Sequence, residues 1–192
     1  MTKRYGLVID QERCIGCDAC TVACRIEHKA DVGFITVDTT DSDLKDVPSG
    51  VFPNLRISWI SKLCNHCENP PCLKACPVDA IYKREDGIVI IDDDLCDGCR
   101  TCVDACPYGV IYFNEKESLA EKCNLCAHRI DQGLEPFCVI CCEGQAIYFG
   151  DFNDSNSKVS RIISEKEVFR LKEDLGTNPI IYYVPPMEKR EL

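Results

Sequence analysis

Seventeen cysteines, nearly all of them in four groups, constrain this chain more than any other feature of its sequence. The third group, CDGCRTCVDACP at residues 96–107, places four cysteines within eleven positions and closes with a proline. Hydrophobic residues make up 45% of the 192 residues, but that share includes the cysteines, so few aliphatic and aromatic side chains remain for a conventional core. We therefore expect the cysteines to organise the interior.

Disulfide bonds, zinc sites and iron–sulfur clusters are the three structures that could account for so many cysteines. The odd number of cysteines and the lack of an apolar secretion signal in MTKRYGLVIDQERC argue against a disulfide framework. Structural zinc uses isolated C-x2-C pairs, two pairs for each ion. A C-x2-C-x2-C loop can bind three corners of an iron–sulfur cube, and a further cysteine, which we expect to begin a helix and point away, binds a neighbouring cluster. The pattern indicates [4Fe–4S] clusters.

Four groups of four cysteines follow one another, and each ends in C-x3-C. In the fourth group eleven residues separate the second cysteine from the third. Cys141 is left over: we expect Cys142 to be the ligand because it keeps the C-x3-C interval, and Cys141 to be a small buried hydrophobic residue. Cys141 as the ligand is the alternative. The groups are Cys14, Cys17, Cys20 and Cys24; Cys64, Cys67, Cys72 and Cys76; Cys96, Cys99, Cys102 and Cys106; and Cys123, Cys126, Cys138 and Cys142.

Exchange of the fourth cysteine predicts which groups share clusters. Groups two and three are joined by a predicted hairpin, with strands at Ala80–Tyr82 and Ile88–Ile91 around a turn at Glu85–Gly87, so they should form one two-cluster unit. The groups near the two chain ends should form another. The four predicted ligand sets are Cys14, Cys17, Cys20 and Cys142 (cluster 1); Cys24, Cys123, Cys126 and Cys138 (cluster 2); Cys64, Cys67, Cys72 and Cys106 (cluster 3); and Cys76, Cys96, Cys99 and Cys102 (cluster 4).

These pairings predict an α+β fold made of two nested ferredoxin-like modules with small antiparallel hairpins and short helices. The predicted divisions are an outer module of residues 1–24 with 114–150, a connecting insert at 25–56, an inner module at 57–113 and a C-terminal docking segment at 151–192.

Three further elements are predicted outside the cysteine groups. NLRISWI at residues 54–60 alternates like a strand. Ser164 and Glu167 form a capping box for a helix that Gly176 would end. PIIYYVPP at residues 179–186 is predicted as an extended arm with exposed tyrosines that contacts a partner; the alternative is that it folds back on its own module.

Charge and missing motifs exclude several functions. A net charge of −10 and a pI of 4.8 argue against nucleic-acid binding. No apolar run is long enough to cross a membrane, and no nucleotide-binding glycine loop or haem-attachment motif occurs. With no export signal we expect a cytoplasmic protein, or one exported as a passenger of a signal-bearing subunit. No catalytic residue is predicted. The N–H of His66 could donate to a cluster sulfur, although a backbone contact is the simpler role.

The motifs LCNHCENPPCLKACP, EDGIVIID, CPYGV and EKCNLCAHRIDQGLEPFC, with the four cysteine groups, span nearly the whole chain. On these motifs the sequence resembles the four-cluster ferredoxin subunits of the dimethyl sulfoxide reductase (molybdopterin oxidoreductase) superfamily. One departure is Glu143, where the family usually has a proline after the last cysteine. The resemblance implies an electron-transfer subunit docked on a large molybdenum or tungsten bis-pterin subunit and serving a further redox subunit or a soluble donor or acceptor.

The same resemblance implies that cluster 1 lies nearest the pterin subunit and cluster 4 at the distal end. A second class of function stays open. The chain could be a free polyferredoxin, or an electron-transfer subunit of a hydrogenase or formate–hydrogen lyase complex. Copurification with a large catalytic subunit would separate the two classes.

Overall fold

The computed structural model describes residues 2–40 and 45–186, which form short helices and small sheets of the α+β class. Within these ranges no helix is long and apolar enough to cross a membrane. The elements, in chain order, are β1 (Tyr5–Asp10), α1 (Ala19–His28), β2 (Ile35–Thr39), β3 (Ser49–Val51), β4 (Asn54–Arg56), β5 (Trp59–Leu63), α2 (Pro71–Ala75), β6 (Ile81–Lys83), β7 (Val89–Ile91), α3 (Thr101–Ala105), β8 (Ile111–Asn114), β9 (Leu119–Lys122), α4 (Ala127–Ile130), α5 (Phe137–Ile140), β10 (Ile147–Asp151), α6 (Lys158–Glu165) and β11 (Ile181–Val184).

A three-stranded sheet brings the two ends of the chain together. Strand β1 lies in its centre, antiparallel to β10 and parallel to β11. Both faces of β1 are covered, because Leu7 and Ile9 lie in the main core and Val8 packs against α6, so all three side chains are fully buried. Tyr183 in β11 is fully buried too, and its hydroxyl donates to the Ser61 carbonyl at 2.9 Å. The prediction of an arm with exposed tyrosines is therefore wrong, and the fold-back alternative is confirmed.

Two antiparallel hairpins follow the second and third cysteine groups. Strands β6 and β7 pair with Tyr82 opposite Ile90, which confirms the hairpin predicted between these groups. Strands β8 and β9 pair with Ile111 opposite Lys122. Strands β6, β8 and β10 each begin five residues after the last cysteine of a group, so the repeated AIY and VIY segments mark equivalent structural positions.

The segment between groups one and two forms two small sheets. Strand β2 pairs with β5, and β3 pairs with β4. The single strand predicted at residues 54–60 is thus wrong, because the segment divides between two sheets. Every residue of β4 is exposed, so β4 has no buried face and pairs only with β3, whereas β5 buries Ser61 and Leu63 against the body of the protein.

The helices beside the cysteine groups share one register. The third cysteine of each group is the second residue of a helix, in α1, α2, α3 and α5. The fourth cysteine lies one helical turn later, inside α1 or beyond the last residue of α2, α3 or α5. The expectation that the fourth cysteine begins a helix is wrong. Four helical residues advance the chain by about 6 Å, and this carries the fourth thiol away from the first three.

The C-terminal helix begins earlier than predicted. Ser157 caps α6, and its hydroxyl accepts a hydrogen bond from the Ser160 N–H at 3.2 Å. Val159 is fully buried against the central sheet. The predicted helix from Ser164 is wrong because Phe169 exchanges backbone hydrogen bonds with Tyr183 at 2.9 and 2.8 Å, which holds this stretch extended. Only a 3-10 turn, Glu173–Leu175, forms before Gly176.

Candidate iron–sulfur centres

The loops that begin the four cysteine groups turn in the same way. The residue two positions after the first cysteine has a positive φ in every group. At Gly16 and Gly98 glycine is required, because a Cβ would lie 2.4 Å from the Trp59 ring and 2.3 Å from the Ser118 carbonyl oxygen. Turns of this kind direct successive backbone N–H groups inward, which suits an anionic cluster. The four residues are Gly16, His66, Gly98 and Leu125, with φ values of 70°, 41°, 72° and 56°.

One cavity lies between the second group and the end of α3. Four cysteines line it, three from group two and one from group three, together with prolines and aliphatic residues and without any carboxylate. Burial, followed by the neighbouring Cys64, raises the pKa of Cys72 to about 12 and that of Cys67 to about 11. The lining cysteines are Cys64, Cys67, Cys72 and Cys106, the set predicted for cluster 3.

A second cavity lies on the other side of α2 and α3, which pack against each other. Its four cysteines come from group three and the end of group two. Asp97 also borders this cavity, but its carboxylate accepts a hydrogen bond from the Cys99 N–H at 3.1 Å and so holds the loop. The lining cysteines are Cys76, Cys96, Cys99 and Cys102, the set predicted for cluster 4.

Group one lies beside the last cysteine of group four. Burial raises the pKa of Cys20 to about 12, and the nearby Cys142 and Cys14 raise it further than Cys17 does. Burial also raises the pKa of Cys14, and Cys142 contributes to this rise. The Cys142 thiol accepts a hydrogen bond from the Ala146 N–H at 3.2 Å. Cys14, Cys17, Cys20 and Cys142, the set predicted for cluster 1, are thus neighbours.

The remaining predicted set lies deepest. Burial raises the pKa of Cys138 well above its ordinary value, and Cys123, Cys126, Cys20 and Cys24 add to this rise. Two of these thiols accept backbone hydrogen bonds at 3.4 Å, from Phe34 to Cys24 and from Leu125 to Cys123. The cysteines predicted for cluster 2, namely Cys24, Cys123, Cys126 and Cys138, are thus also neighbours.

Buried thiols of this kind suit a cationic iron–sulfur core. On their own they would remain protonated, because burial penalises the thiolate. Ligation to iron replaces the proton and supplies the compensating charge. In residues 2–40 and 45–186 no three His, Cys, Asp or Glu side chains converge closely enough to hold a single metal ion. In two of the four sets the thiols instead surround cavities between the elements, and the donor sets fit [4Fe–4S] clusters, which use four thiolates each.

Cys141 and Cys142 differ in their surroundings. Cys142 lies beside the group-one thiols, as described above. Cys141 follows the last residue of α5, and its N–H donates to the Phe137 carbonyl at 3.0 Å. Cys141 is half-buried, so the prediction that it is a buried hydrophobic residue is wrong in its degree of burial.

Two histidines approach the cysteine groups. His66 is fully buried, and its Nδ1 accepts a hydrogen bond from the Val89 N–H at 3.0 Å, which places the ring proton on Nε2. Within the described residues Nε2 has no hydrogen-bond partner, so donation to a cluster sulfur stays a prediction. His28 is not singled out by its sequence, yet its Nε2 lies 3.4 Å from the Cys126 thiol. Its spacing of four from Cys24 along one helix face is the signal that could have found it.

Only two of the seventeen cysteines, Cys17 and Cys99, are exposed. They belong to groups one and three, which line different sites. Clusters bound there would lie closer to solvent than one bound by Cys123, Cys126 and Cys138, which are all buried. The chain thus presents two surface points at which electrons could be exchanged.

Comparison with known proteins agrees with this geometry. Residues 55–152 match the family described as a 4Fe–4S dicluster domain, and residues 7–27 match a 4Fe–4S binding domain. A putative iron–sulfur subunit of dimethyl sulfoxide reductase from Halobacterium salinarum is 42% identical, over 94% of this chain and 78% of the relative. A subunit of tetrathionate reductase from Salmonella typhimurium is 39% identical, over 94% and 72%. A polypeptide of polysulfide reductase from Wolinella succinogenes is 40% identical, over 96% of both sequences.

The matches extend over almost the whole chain and most of each relative. One of these relatives is named as an iron–sulfur subunit, and the other two are named as subunits of reductases. The chain belongs to this family, the iron–sulfur electron-transfer subunits of the dimethyl sulfoxide reductase superfamily.

Proposed function

We propose that this chain conducts electrons through four [4Fe–4S] clusters between a molybdenum or tungsten bis-pterin catalytic subunit and an external redox partner. The observation that carries the proposal is the exchange of cysteines between groups. Each of two cavities is lined by three cysteines of one group and the last cysteine of another. Such exchange brings two clusters close together, as electron transfer within a pair requires.

The proposed ligand assignment follows the four sets named above. Different observations support the ligand sets of the two modules. The cavities support the sets of clusters 3 and 4, and the mutual effects of neighbouring thiols on their pKa values support those of clusters 1 and 2. In this assignment Cys141 is not a ligand.

The nested arrangement of two ferredoxin-like modules is part of the proposal. In the outer module, β1 pairs with β10, and the Arg13 guanidinium donates to the Gly144 carbonyl at 3.1 Å across 131 residues of sequence. In the inner module, α2 packs on α3. The pairing of β11 with β1 favours counting residues 181–184 with the outer module rather than with a separate docking segment.

The proposed electron path runs from cluster 1 through clusters 2 and 3 to cluster 4. The crossing between modules is supported by Cys123, whose pKa is raised by burial and next by Cys64. These two cysteines belong to the proposed clusters 2 and 3, so the two sites are adjacent. The exposed Cys17 and Cys99 then mark the two ends of the path.

Cys99→Ser and Cys17→Ser form a matched pair that tests this order, since both side chains are exposed. In the assembled complex, Cys99→Ser should leave substrate-driven electron exchange with the proximal clusters intact and block exchange with the external partner. Cys17→Ser should have the opposite effect. Single-turnover absorbance changes on adding the catalytic subunit's substrate measure the first step. If Cys99→Ser abolished that step while the complex stayed assembled, the proposed order would be wrong.

Copurification tests the alternative function. A subunit of a reductase complex should elute with a larger catalytic subunit that contains molybdenum or tungsten. A free polyferredoxin should elute alone, and an electron-transfer subunit of a hydrogenase should elute with a larger enzyme that contains neither molybdenum nor tungsten. Metal analysis of the copurified complex distinguishes the three results.

A further inference from the structure

Lys122, the last residue of β9, is a buried lysine at the proposed crossing between the modules. Its side chain is almost completely withdrawn from solvent, with 6% exposure of the residue. Its ammonium donates to two carbonyl oxygens, that of Val89 and, at 3.1 Å, that of Cys123. In the part of the chain that the structure describes, no carboxylate forms an ion pair with it. A buried cation held only by neutral groups is costly, because they do not replace the solvation of a full charge.

The two carbonyls that hold Lys122 belong to two different sites. Val89 lines the cavity proposed for cluster 3. Cys123 is a proposed ligand of cluster 2. The ammonium therefore lies between the two clusters that electrons must cross when they leave one module for the other. The ring of His66 lies nearby, since it contacts the N–H of the same Val89, and it supplies no negative charge because a histidine ring is either neutral or cationic.

The ammonium contacts a residue of each site. At the cluster 3 site it donates to the carbonyl of Val89, which lines the cavity. At Cys123, the backbone carbonyl of the ligand residue itself accepts from the ammonium. An oxidised [4Fe–4S] cluster with four thiolates carries a charge of about −2, and one electron adds a further negative charge. Two such clusters would supply the anions that the protein does not provide.

We propose that Lys122 is the shared countercation of clusters 2 and 3, and that it raises the reduction potentials of both. The inference rests on the proposed ligand assignment. A fixed positive charge stabilises the more negative, reduced state of each neighbouring cluster. It also reduces the repulsion between an electron on one cluster and the charge of the other. Without Lys122, electron transfer between clusters 2 and 3 would be the least favourable step of the path.

Three substitutions separate charge from structure. Lys122→Gln keeps a hydrogen-bond donor and removes the charge, Lys122→Met removes both, and Lys122→Arg keeps both. Lys116→Met is the control, because Lys116 lies on the surface with 75% of its side chain exposed and pairs with Asp31. The measurements are iron and sulfide per chain and an EPR-monitored redox titration of the full cluster-containing protein. A wild-type content of about sixteen iron ions per chain first checks the four-cluster assignment, separately from the role of Lys122.

We expect Lys122→Gln and Lys122→Met to lower the potentials of two of the four clusters. A tenfold change in the reduction equilibrium is the smallest expected effect, about 59 mV for a one-electron couple. Lys122→Arg and Lys116→Met should leave all four potentials near those of the wild type. If the neutral variants lose clusters while Lys122→Arg keeps four, the requirement for charge is also supported. Unchanged potentials in a fully loaded Lys122→Gln protein would overturn the proposal, and so would equal shifts or equal cluster loss in Lys122→Arg.

Discussion

The third and fourth cysteine groups contain equal numbers of ligands but lie in very different surroundings. Group three is contiguous, and its Cys99 is exposed. Group four is interrupted by eleven residues that include α4, and its Cys123, Cys126 and Cys138 are all buried. These two groups therefore show that the same number of proposed ligands can lie at different depths, according to what packs over them.

The physical basis of this difference is the inserted segment. Ala127 and Ile130 of α4 are buried in the core that surrounds Cys123 and Cys138. Arg129 and His128 of the same helix bind Glu27 of α1. Group three has no such insertion. The stretched group gains packing and a largely buried ion pair, whereas the ion pair beside the contiguous group is exposed, so the two groups should respond differently to the same perturbation.

Removal of the clusters should have the largest effect and should affect group four most. Apoprotein prepared with acid and chelator should be largely unfolded, because the clusters replace much of a conventional core. Amide hydrogen exchange at residues 123–142 should accelerate by several orders of magnitude. Amide exchange in the loop at residues 96–102 should accelerate much less, because this loop lies nearer solvent and its amides exchange quickly even in the intact protein. Retained protection at residues 123–142 would mean that side-chain packing alone holds this region.

Single ligand replacements should show the same difference on a smaller scale. Cys138→Ser removes a buried proposed ligand and leaves a hydroxyl among apolar neighbours, so we expect loss of a whole cluster and a fall of roughly 10 °C or more in the unfolding midpoint. Cys99→Ser is the matched change at an exposed proposed ligand, and its midpoint should stay within a few degrees of the wild type. Iron content and thermal unfolding measure both effects. Equal losses in the two variants would contradict the role given to burial.

Gly98 and Leu125 occupy the same loop position in groups three and four, so substitutions at these residues compare the two groups directly. Both have a positive φ, which by itself favours glycine. Leu125 is only 1% exposed, so Leu125→Gly should still destabilise the protein, by about 2 to 5 kcal/mol for the lost core side chain less about 1 kcal/mol for the relieved backbone.

Gly98→Ala should destabilise the protein by straining the backbone rather than by removing a packed side chain. The left-handed conformation should cost about 1 to 2 kcal/mol, and the cost is greater if the Ser118 carbonyl cannot move. Rates of cluster loss in guanidinium chloride compare the two variants, since unfolding of such a protein is irreversible. A more stable Leu125→Gly protein would show that backbone conformation, not packing, decides this position.

The hairpin between groups two and three could be predicted from sequence, because strand alternation and a glycine-containing turn are local signals. The four cysteine groups could be recognised for the same reason. Elements that depend on distant partners were mispredicted. The stretch from Ser164 has a helical pattern, but Phe169 gains two backbone hydrogen bonds from Tyr183 as an extended segment. Nothing in PIIYYVPP reveals that β1, more than 170 residues earlier, offers it a free edge.

The same distinction between local signals and contacts with distant residues applies to the candidate site. Which cysteines are exposed depends on what packs over them, and this is not encoded in their spacing. The burial of Lys122 has no sequence signal either, since a lysine at the end of a short strand is usually solvated. Its importance follows only from the juxtaposition of Val89 and Cys123, which are 34 residues apart in the sequence.

The smallest expected difference in stability comes from the ion pairs beside groups three and four. Glu27 contacts Arg129 at 3.2 Å, and the two side chains are 16% and 18% exposed. Beside group three, Arg100 and Glu115 contact at 2.5 Å but are 52% and 71% exposed. Glu27→Gln should therefore cost about 1 kcal/mol, and Glu115→Gln should cost roughly 0 to 0.5 kcal/mol. Thermal unfolding of the cluster-containing protein at pH 7.5 compares the two.

The sign of the pH dependence provides an internal check on the Glu27 contact. The hydrogen bond from His128, followed by that from Arg129, lowers the pKa of Glu27. Its contribution is therefore complete above the unfolded-state pKa of about 4.3 and is lost as the pH falls through the lower folded-state pKa. Between pH 6 and 8 protonation of Glu27 should not change the difference between wild type and Glu27→Gln. Any rise in that difference toward pH 6 should come from the partner His128, which is charged only when protonated. A difference that grew with salt, or that was matched by Glu115→Gln, would show that the anchoring of α4 to α1 is not electrostatic and that the inserted segment stabilises group four through apolar packing alone.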